Sequence, residues 1–197
     1  MRRVIKVGGS LLLREDLLQA LPAWLERQTP AANLLIFGGG EVIDAIRHLD
    51  QIRPGDPADT HWMCVGLLDV SFELAARWFD WRFLDSTDDF AQACKSEFKA
   101  SEGSASSQPI LIRVRSFYNR QIHQRESLSL PLDWTTTTDA IAAFLAIETD
   151  ADELVLLKSC AVDARFDVQQ LAQAGIVDEA LPGIADRVKS IRVEQFI

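Results

Sequence analysis

This chain of 197 residues has few cysteines and lacks the residue spacings that are typical of metal sites. Its three cysteines, Cys64, Cys94 and Cys160, lie far apart, and the sequence contains neither a CxxC nor an HxxxH spacing. Structural zinc sites use such spacings, so the sequence predicts no metal site of this kind. An odd number of cysteines favours reduced thiols, as in the cytoplasm.

Basic residues and long apolar runs are also few. The chain carries 20 Lys and Arg against 29 Asp and Glu, for a formal net charge of −9. Proteins that bind nucleic acid or anionic membranes usually carry the opposite sign, and no apolar run here is long enough to cross a bilayer. The first residues read as a strand and lack the apolar core of a signal peptide. We therefore expect a cytoplasmic protein with neither nucleic acid nor membrane as a partner.

Three catalytic motifs are missing as well. The sequence has no GxxxxGK(S/T), no GxGxxG after a strand and no GxSxG. These absences argue against a P-loop NTPase, a Rossmann dinucleotide site and a hydrolase nucleophile elbow.

Two glycine turns are present, and they share one design. Each follows an apolar run, Val4–Val7 or Leu34–Phe37, and each precedes a helix-like stretch. The turns consist of Gly8, Gly9 and Ser10 in the first case and of Gly38, Gly39 and Gly40 in the second. A strand, a glycine turn and a helix N-terminus form a cradle for anions. Two cradles predict two phosphate-like groups held close together, as phosphoryl transfer requires.

Strand-like and helix-like segments alternate along the chain. The predicted strands are 3–7, 34–37, 81–84, 110–114, 153–157 and an edge strand at 190–196, and the predicted helices are 11–27, 41–49, 60–79, 88–99, 139–148 and 169–175. The polar segment Ser101–Pro109 is predicted to be a loop. Such alternation favours a single α/β domain with a mostly parallel sheet that is covered by helices on both faces.

Lys6, Asp139 and Lys158 are the candidate catalytic residues. Lys6 interrupts an apolar strand, where it would neutralise phosphoryl charge; the alternative is a surface lysine on an edge strand. Asp139 opens a helix after four threonines, where its carboxylate would orient a lysine or hold Mg²⁺ through water; the alternative is an acid favoured by the helix dipole. Lys158 ends a strand at the edge where ligands gather in open α/β sheets.

Other polar residues are candidates for binding. Ser10 would donate its hydroxyl to a phosphate, or else cap the following helix. Four residues are candidates for an acceptor pocket, with a solvated surface charge as the plainer alternative for each: His61, Asp69, Arg113 and Asp133. Trp134, beside the threonine run, is a candidate for lining that pocket.

Taken together, these motifs resemble the amino acid kinase family, which includes acetylglutamate, aspartate, uridylate and isopentenyl phosphate kinases. The matching segments are Lys6–Ser10, Gly38–Glu41 and Thr138–Ala143. The resemblance implies a three-layer αβα sandwich, with an acceptor half at about 1–133 and a reduced nucleotide half at about 134–197. It also implies a homo-oligomer that binds a small phosphorylated substrate and uses ATP with Mg²⁺.

The family pattern also assigns roles to residues. The residues expected to contact ATP are Lys6, Gly8, Gly9, Ser10, Thr138 and Lys158. The acceptor is expected to be held by Gly38, Gly39 and Gly40, with His61 and Asp133 nearby. Asp139 is expected to organise the catalytic lysines.

Within the family, the sequence is most similar to the small kinases of methanofuran biosynthesis, which convert an aminomethyl-furanyl-methyl phosphate to its diphosphate. This likeness involves His61, Asp69, Trp134 and the segment Val177–Pro182. An isopentenyl phosphate kinase is disfavoured, because Glu41–Asp44 follow the glycine triplet where that enzyme has a histidine for the substrate phosphate.

One segment departs from the family pattern. After the strand ending at Leu157, family members usually carry a Thr-Asp-Val-Asp-Gly-Val-Tyr-like loop that helps to hold the nucleotide, whereas this chain has Lys158–Asp163. Two hypotheses therefore stay open. The chain is a kinase acting on a phosphate or carboxylate, or it is a catalytically reduced relative that binds a phosphorylated metabolite or an anion.

Overall fold

A six-stranded sheet organises the part of the chain that the computed structural model describes, residues 1–96, 108–125 and 130–197. The strands are β1 (Arg2–Val7), β2 (Ala32–Phe37), β3 (Arg82–Leu84), β4 (Ile110–Ile112), β5 (Glu153–Lys158) and β6 (Ile191–Gln195). They lie in the order β3-β4-β2-β1-β5-β6, and every neighbouring pair is parallel.

Helices connect the strands and cover the sheet. They are α1 (Leu17–Glu26), α2 (Glu41–Ile52), α3 (Pro57–Trp78), α4 (Thr87–Lys95), α5 (Val114–Phe117), α6 (Arg120–Arg125), α7 (Thr138–Glu148) and α8 (Val168–Gln173). Three short 3-10 segments also occur, at Gly9–Leu13, Leu181–Gly183 and Ala185–Arg187. Within the described residues, no helix is both long and apolar enough to span a membrane.

Two hydrophobic cores lie on opposite faces of the sheet. Because successive strand residues point to opposite faces, Val4 and Leu156 pack with α7 on one face. Ile5 and Val155 pack with α1 on the other. The predicted three-layer αβα sandwich is thus confirmed. The same alternation places Lys6 and Lys158, at the strand ends, on the face that carries α7.

Several predicted element boundaries differ from the structure. The single helix predicted over 11–27 is wrong: a 3-10 turn at Gly9–Leu13 comes first, and α1 starts only at Leu17. The strand predicted over 110–114 stops at Ile112, because Val114 begins α5. The predicted edge strand is confirmed as β6.

Two other predictions are only partly covered by the structure. Residues 101–107 of the predicted loop and 97–99 of a predicted helix lie outside the described residues. The division into acceptor and nucleotide halves stays a prediction, and one sheet runs through both.

A buried ion-pair network ties three strands together near the amino ends of β1 and β5. Arg3 is 1% exposed, and its Nε lies 2.5 Å from Oε2 of Glu153 on the adjacent β5. The other oxygen of Glu153 accepts from Nε of Arg192 on β6 at 2.9 Å. Because the Arg3 guanidinium is inside the protein, its charge needs this partner.

Replacing Glu153 by alanine should therefore destabilise the fold. Removing one partner of a buried pair leaves an uncompensated charge, so we expect the Glu153→Ala change to lower the free energy of unfolding by about 3 kcal/mol. Urea denaturation measures this value, with Glu15→Ala, at an exposed carboxylate, as the control. A loss no greater than that of an exposed pair, about 1 kcal/mol or less, would contradict the assignment.

Candidate active site

The candidate site lies at the carboxyl ends of β1, β2 and β5. The interior strand β1 has β2 on one side and β5 on the other, so the chain connections diverge at this point. Open α/β sheets bind ligands at such a switch point. The first glycine turn follows β1, the second follows β2, and Lys158 ends β5.

Asp139 bridges two lysines at this edge. Its Oδ1 lies 2.9 Å from Nζ of Lys6, and its Oδ2 lies 2.5 Å from Nζ of Lys158. All three residues are buried. The structure therefore brings together the three residues that the sequence singles out for catalysis. The alternative that Lys6 is a surface lysine is therefore wrong. Asp139 does open a helix, but its carboxylate also pairs with both lysines.

The ion pairs govern protonation in this cluster. Burial disfavours the charged carboxylate of Asp139, but Lys6 and Lys158 outweigh burial and hold its pKa below the usual range. Burial, and then the ammonium of Lys6, lower the pKa of Lys158, while Asp139 opposes that fall. Asp139 thus keeps two mutually repelling cations side by side.

The two glycine turns touch each other. A Cβ on Gly9 would lie 2.0 Å from the backbone nitrogen of Gly40, and Gly40 itself has a φ of 53°. Two other glycines are bound into the sheet: the N–H of Gly8 donates to Leu157 O and that of Gly38 donates to Val7 O, each at 2.9 Å. These two donors are therefore unavailable to a phosphate.

Other glycine donors remain open. No described residue accepts a hydrogen bond from the N–H of Gly9, Gly39 or Gly40. Backbone donors of this kind, next to helix N-termini, can bind an anion. Of the glycines predicted to bind phosphate, these three therefore have N–H groups that are available to donate.

Ser10 ends the first glycine turn, and Thr138 lies beside the second. The hydroxyl of Ser10 is 2.7 Å from that of Ser159, so it links the loops that follow β1 and β5. Its capping interpretation is wrong, because Gly8 precedes the 3-10 turn and Ser10 lies inside it. Thr138 is buried beside Gly38, where its Oγ1 would lie 3.1 Å from a Cβ placed on that glycine.

A cavity of about 220 Å³ opens next to the lysine cluster. Its lining includes these predicted site residues: Lys6, Gly9, Ser10, Gly38, Gly39, Gly40, His61, Asp133 and Thr138. The glycine triplet, His61 and Asp133, which are predicted to hold the acceptor, thus share one cavity.

His61 and Asp133 are both engaged with the protein. Nε2 of His61 lies 3.1 Å from the hydroxyl of Tyr118, and burial lowers the pKa of His61, which favours a neutral ring. The Asp133 carboxylate accepts from the N–H and the hydroxyl of Thr135 at 2.8 and 2.5 Å. These residues shape the wall, and His61 adds no positive charge to it.

Trp134 forms an aromatic wall of the cavity. Its indole N–H donates to Asp50 at 2.8 Å, and the guanidinium carbon of Arg47 lies 4.8 Å from the centre of its ring. The buried Oγ1 of Thr136 has no partner among the described residues. Thr136 and Arg47 also line the cavity, so both are candidate ligand contacts.

Asp69 and Arg113 lie elsewhere. They form an ion pair at 3.3 Å and line a separate groove with Arg115 and Arg120. The structure does not bring these two candidates to the acceptor cavity.

Three residues contribute to the site without having been predicted from the sequence. Arg47 appears in sequence as an ordinary charge on a helix surface, and Thr136 is one of four similar threonines. Asp178, which binds the N-terminus of α7, is 38 residues from Ala140. It lies in the segment Val177–Pro182 that carries part of the family resemblance, but the resemblance assigned it no role. The threonine run and the segment Val177–Pro182 were the usable hints.

The described residues do not form a protein-bound metal site. Among them, no three His, Cys, Asp or Glu side chains are grouped to hold an ion. Both oxygens of Asp139 face lysines, which leaves little room for Mg²⁺ on that carboxylate. Mg²⁺ at such a site would be held chiefly by ligand phosphates, as is common for this ion.

Several solved structures with the same fold are described as kinases. Uridylate kinase from Archaeoglobus fulgidus superposes with a TM-score of 0.61 at 14% identity, over 99% of this chain and 91% of that one. UMP kinase from Ureaplasma parvum gives 0.61 and 14%, over 99% and 89%. Aspartate kinase from Synechocystis gives 0.61 and 14%, over 99% of this chain but 38% of its own. No protein-family model matches the sequence, and no curated protein is significantly similar to it.

The chain therefore has the α/β fold that uridylate and aspartate kinases share. At this level of identity the likeness establishes architecture alone.

The contact between the glycine turns yields a prediction. Gly9→Ala places a methyl group against the backbone of Gly40, where no flexible side chain can move aside. We expect a loss of about 2 kcal/mol in the free energy of unfolding, as is typical of overpacking. Urea denaturation measures this loss.

Gly183→Ala is the matched control. A Cβ there would meet no described atom within 4 Å, so this change should alter stability by less than about 0.5 kcal/mol. Equal effects of the two substitutions would show that the turns are not in tight contact.

Proposed function

We propose that this protein is an ATP-dependent small-molecule kinase that transfers the γ-phosphoryl group to a phosphate oxygen, with a carboxylate acceptor as the alternative. The observation that carries the proposal is the bridge from Asp139 to Lys6 and Lys158, which lies next to the two glycine turns. Phosphoryl transfer needs positive charge and exact placement more than a nucleophilic side chain.

Each group then has a role. ATP, when bound, supplies the phosphoryl group. Lys6 and Lys158 neutralise the negative charge that builds up on the transferring group, and Asp139 holds both ammonium groups in place. The N–H groups of Gly9 and Gly39 bind phosphate oxygens on either side.

The cavity favours a small acceptor. A cavity of about 150 Å³ holds one benzene molecule, and this one measures about 220 Å³. Its volume accommodates one ring with short substituents. Trp134 offers an aromatic surface, and the carboxylates of Asp44 and Asp133 suit an acceptor that carries an amine.

The specific acceptor that we propose is an aminomethyl-furanyl-methyl phosphate, as in methanofuran biosynthesis. The sequence resemblance supports it, and so does the size of the cavity. The cytoplasmic location, the homo-oligomer and the lack of nucleic-acid partners stay predictions.

The second candidate is a non-catalytic protein that binds a phosphorylated metabolite or an anion. Two observations favour it: the altered segment after Lys158, and Asp178, a further carboxylate that interacts with the lysine cluster. This carboxylate reduces the net positive charge available to a transferring phosphate.

Alanine substitutions of the two lysines test catalysis. We expect Lys6→Ala and Lys158→Ala each to lower turnover about 100-fold, the usual loss when one donor to the transition state is removed. Lys189→Ala removes an exposed lysine that pairs with Asp150 and should leave turnover unchanged. The assay measures ADP release from Mg²⁺–ATP with furanyl phosphates, and with UMP for comparison.

Calorimetric titration with a Mg²⁺–ATP analogue separates the hypotheses. Binding that both cluster substitutions weaken, and Lys189→Ala does not, supports a nucleotide site at the glycine turns. Near-normal turnover in Lys6→Ala would reject its catalytic role. Folded protein that fails to bind the analogue would favour the anion-binding alternative.

A further inference from the structure

Asp178 reaches the start of α7 from a distant part of the chain. Its Oδ2 accepts hydrogen bonds from the N–H groups of Thr137 and Ala140, each at 2.9 Å. Its Oδ1 accepts one from the Thr137 hydroxyl. One carboxylate thus receives three donors from a single helix terminus.

This contact replaces the usual cap of the helix. The first N–H groups of a helix need an acceptor from outside it, which the preceding side chain commonly supplies. In the described structure, the Thr137 side chain makes no such capping bond. A second bond, from the N–H of Ala180 to the carbonyl of Thr135 at 3.0 Å, fastens the same two segments together.

The residues held by Asp178 bracket Asp139. Thr137 lies two positions before Asp139 and Ala140 one position after it, so their fixed N–H groups set the direction in which Asp139 leaves the helix. That direction matters because each Asp139 oxygen must reach a different lysine, at 2.9 and 2.5 Å. Catalytic groups lose effect when displaced by much more than about 0.5 Å.

We propose that Asp178 is a positioning residue, which fixes the first turn of α7 so that Asp139 bridges Lys6 and Lys158. Its significance for catalysis rests on the kinase function proposed above. Asp178 acts through Asp139 and does not contact the reacting groups.

Hydrogen bonding, more than charge, explains this role. Burial, and then repulsion from Asp139, raise the pKa of Asp178, although Lys6 opposes the rise. A full negative charge on Asp178 is therefore costly at this position, whereas both of its carboxylate oxygens accept hydrogen bonds from α7 or its N-cap residue. Asparagine keeps the shape and one acceptor oxygen, so it should keep much of the positioning.

Chemical labelling of the lysines tests the proposal without relying on activity. Acetic anhydride acetylates uncharged amines, and mass spectrometry reads the rate at Lys6 and Lys158. If Asp139 turns away in Asp178→Ala, Lys158 loses the partner that favours its charged form. We expect its labelling rate to rise about tenfold, as a fall of one unit in its pKa would produce.

Conservative and matched variants accompany this measurement. Asp178→Asn keeps an acceptor oxygen but removes a charge that favours the charged form of Lys158, so labelling should rise less than in Asp178→Ala. An equal rise in both variants would show a direct charge effect and overturn the proposal. Asp186→Asn, at an exposed carboxylate nearby in sequence, should not change it. Thr137→Val removes one of the three bonds and should give a smaller rise, and it decides the question should Asp178→Ala fail to fold. Wild-type labelling in the folded variants would overturn the proposal.

Turnover separates this proposal from the proposed function. A misplaced Asp139 should lower kcat about 100-fold in Asp178→Ala, with partial recovery in Asp178→Asn. If Lys6→Ala abolishes turnover and Asp178→Ala leaves both turnover and labelling unchanged, the kinase function stands and the positioning role fails. If labelling changes as expected but the wild-type protein has no turnover, the positioning role stands and the kinase function fails.

Discussion

The site depends on one interaction, the contact of the Asp139 carboxylate with two buried ammonium groups. Lys6 and Lys158 would repel each other strongly in a protein interior, where charges are poorly solvated. A carboxylate between them makes both charges tolerable. The contact is possible only because β1 and β5 are neighbours in register and α7 crosses the same face of the sheet. Sheet order, strand register and helix placement are therefore all needed to bring the Asp139 carboxylate to both lysines.

Close backbone approach is the second constraint. The turns after β1 and β2 meet at Gly9 and Gly40 with no space for side chains. This approach brings the N–H groups of Gly9 and Gly40, which have no acceptor among the described residues, to the edge of the cavity, beside Lys6. Polar groups that would be costly elsewhere are thus concentrated where an anionic ligand can use them. The fold is shared with uridylate and aspartate kinases, and in this chain the turns border a cavity of about 220 Å³.

Much of the site could be predicted because its signals are local. A lysine in an apolar strand, glycines after two strands and an acid after a threonine run each break an otherwise regular pattern, and such breaks tend to mark function. The long helix predicted over 11–27 failed because apolar spacing continues through Leu11–Leu13, where the chain instead forms a 3-10 turn beside the glycines. Asp69 and Arg113 were plausible by residue type, but Asp69 on α3 and Arg113, between β4 and α5, line another groove.

By itself, the sequence determined the αβα class, the parallel sheet and the residues at the strand ends, because period-two and helical patterns and glycine turns act over a few positions. Only the tertiary structure decided which of those residues meet. Strand order places β5 beside β1, which joins Lys158 to Lys6 through Asp139. Asp178 caps α7 across 38 residues of intervening chain. A hydrogen bond depends on distance in space, and no local pattern encodes a contact between segments that only the folded sheet brings together.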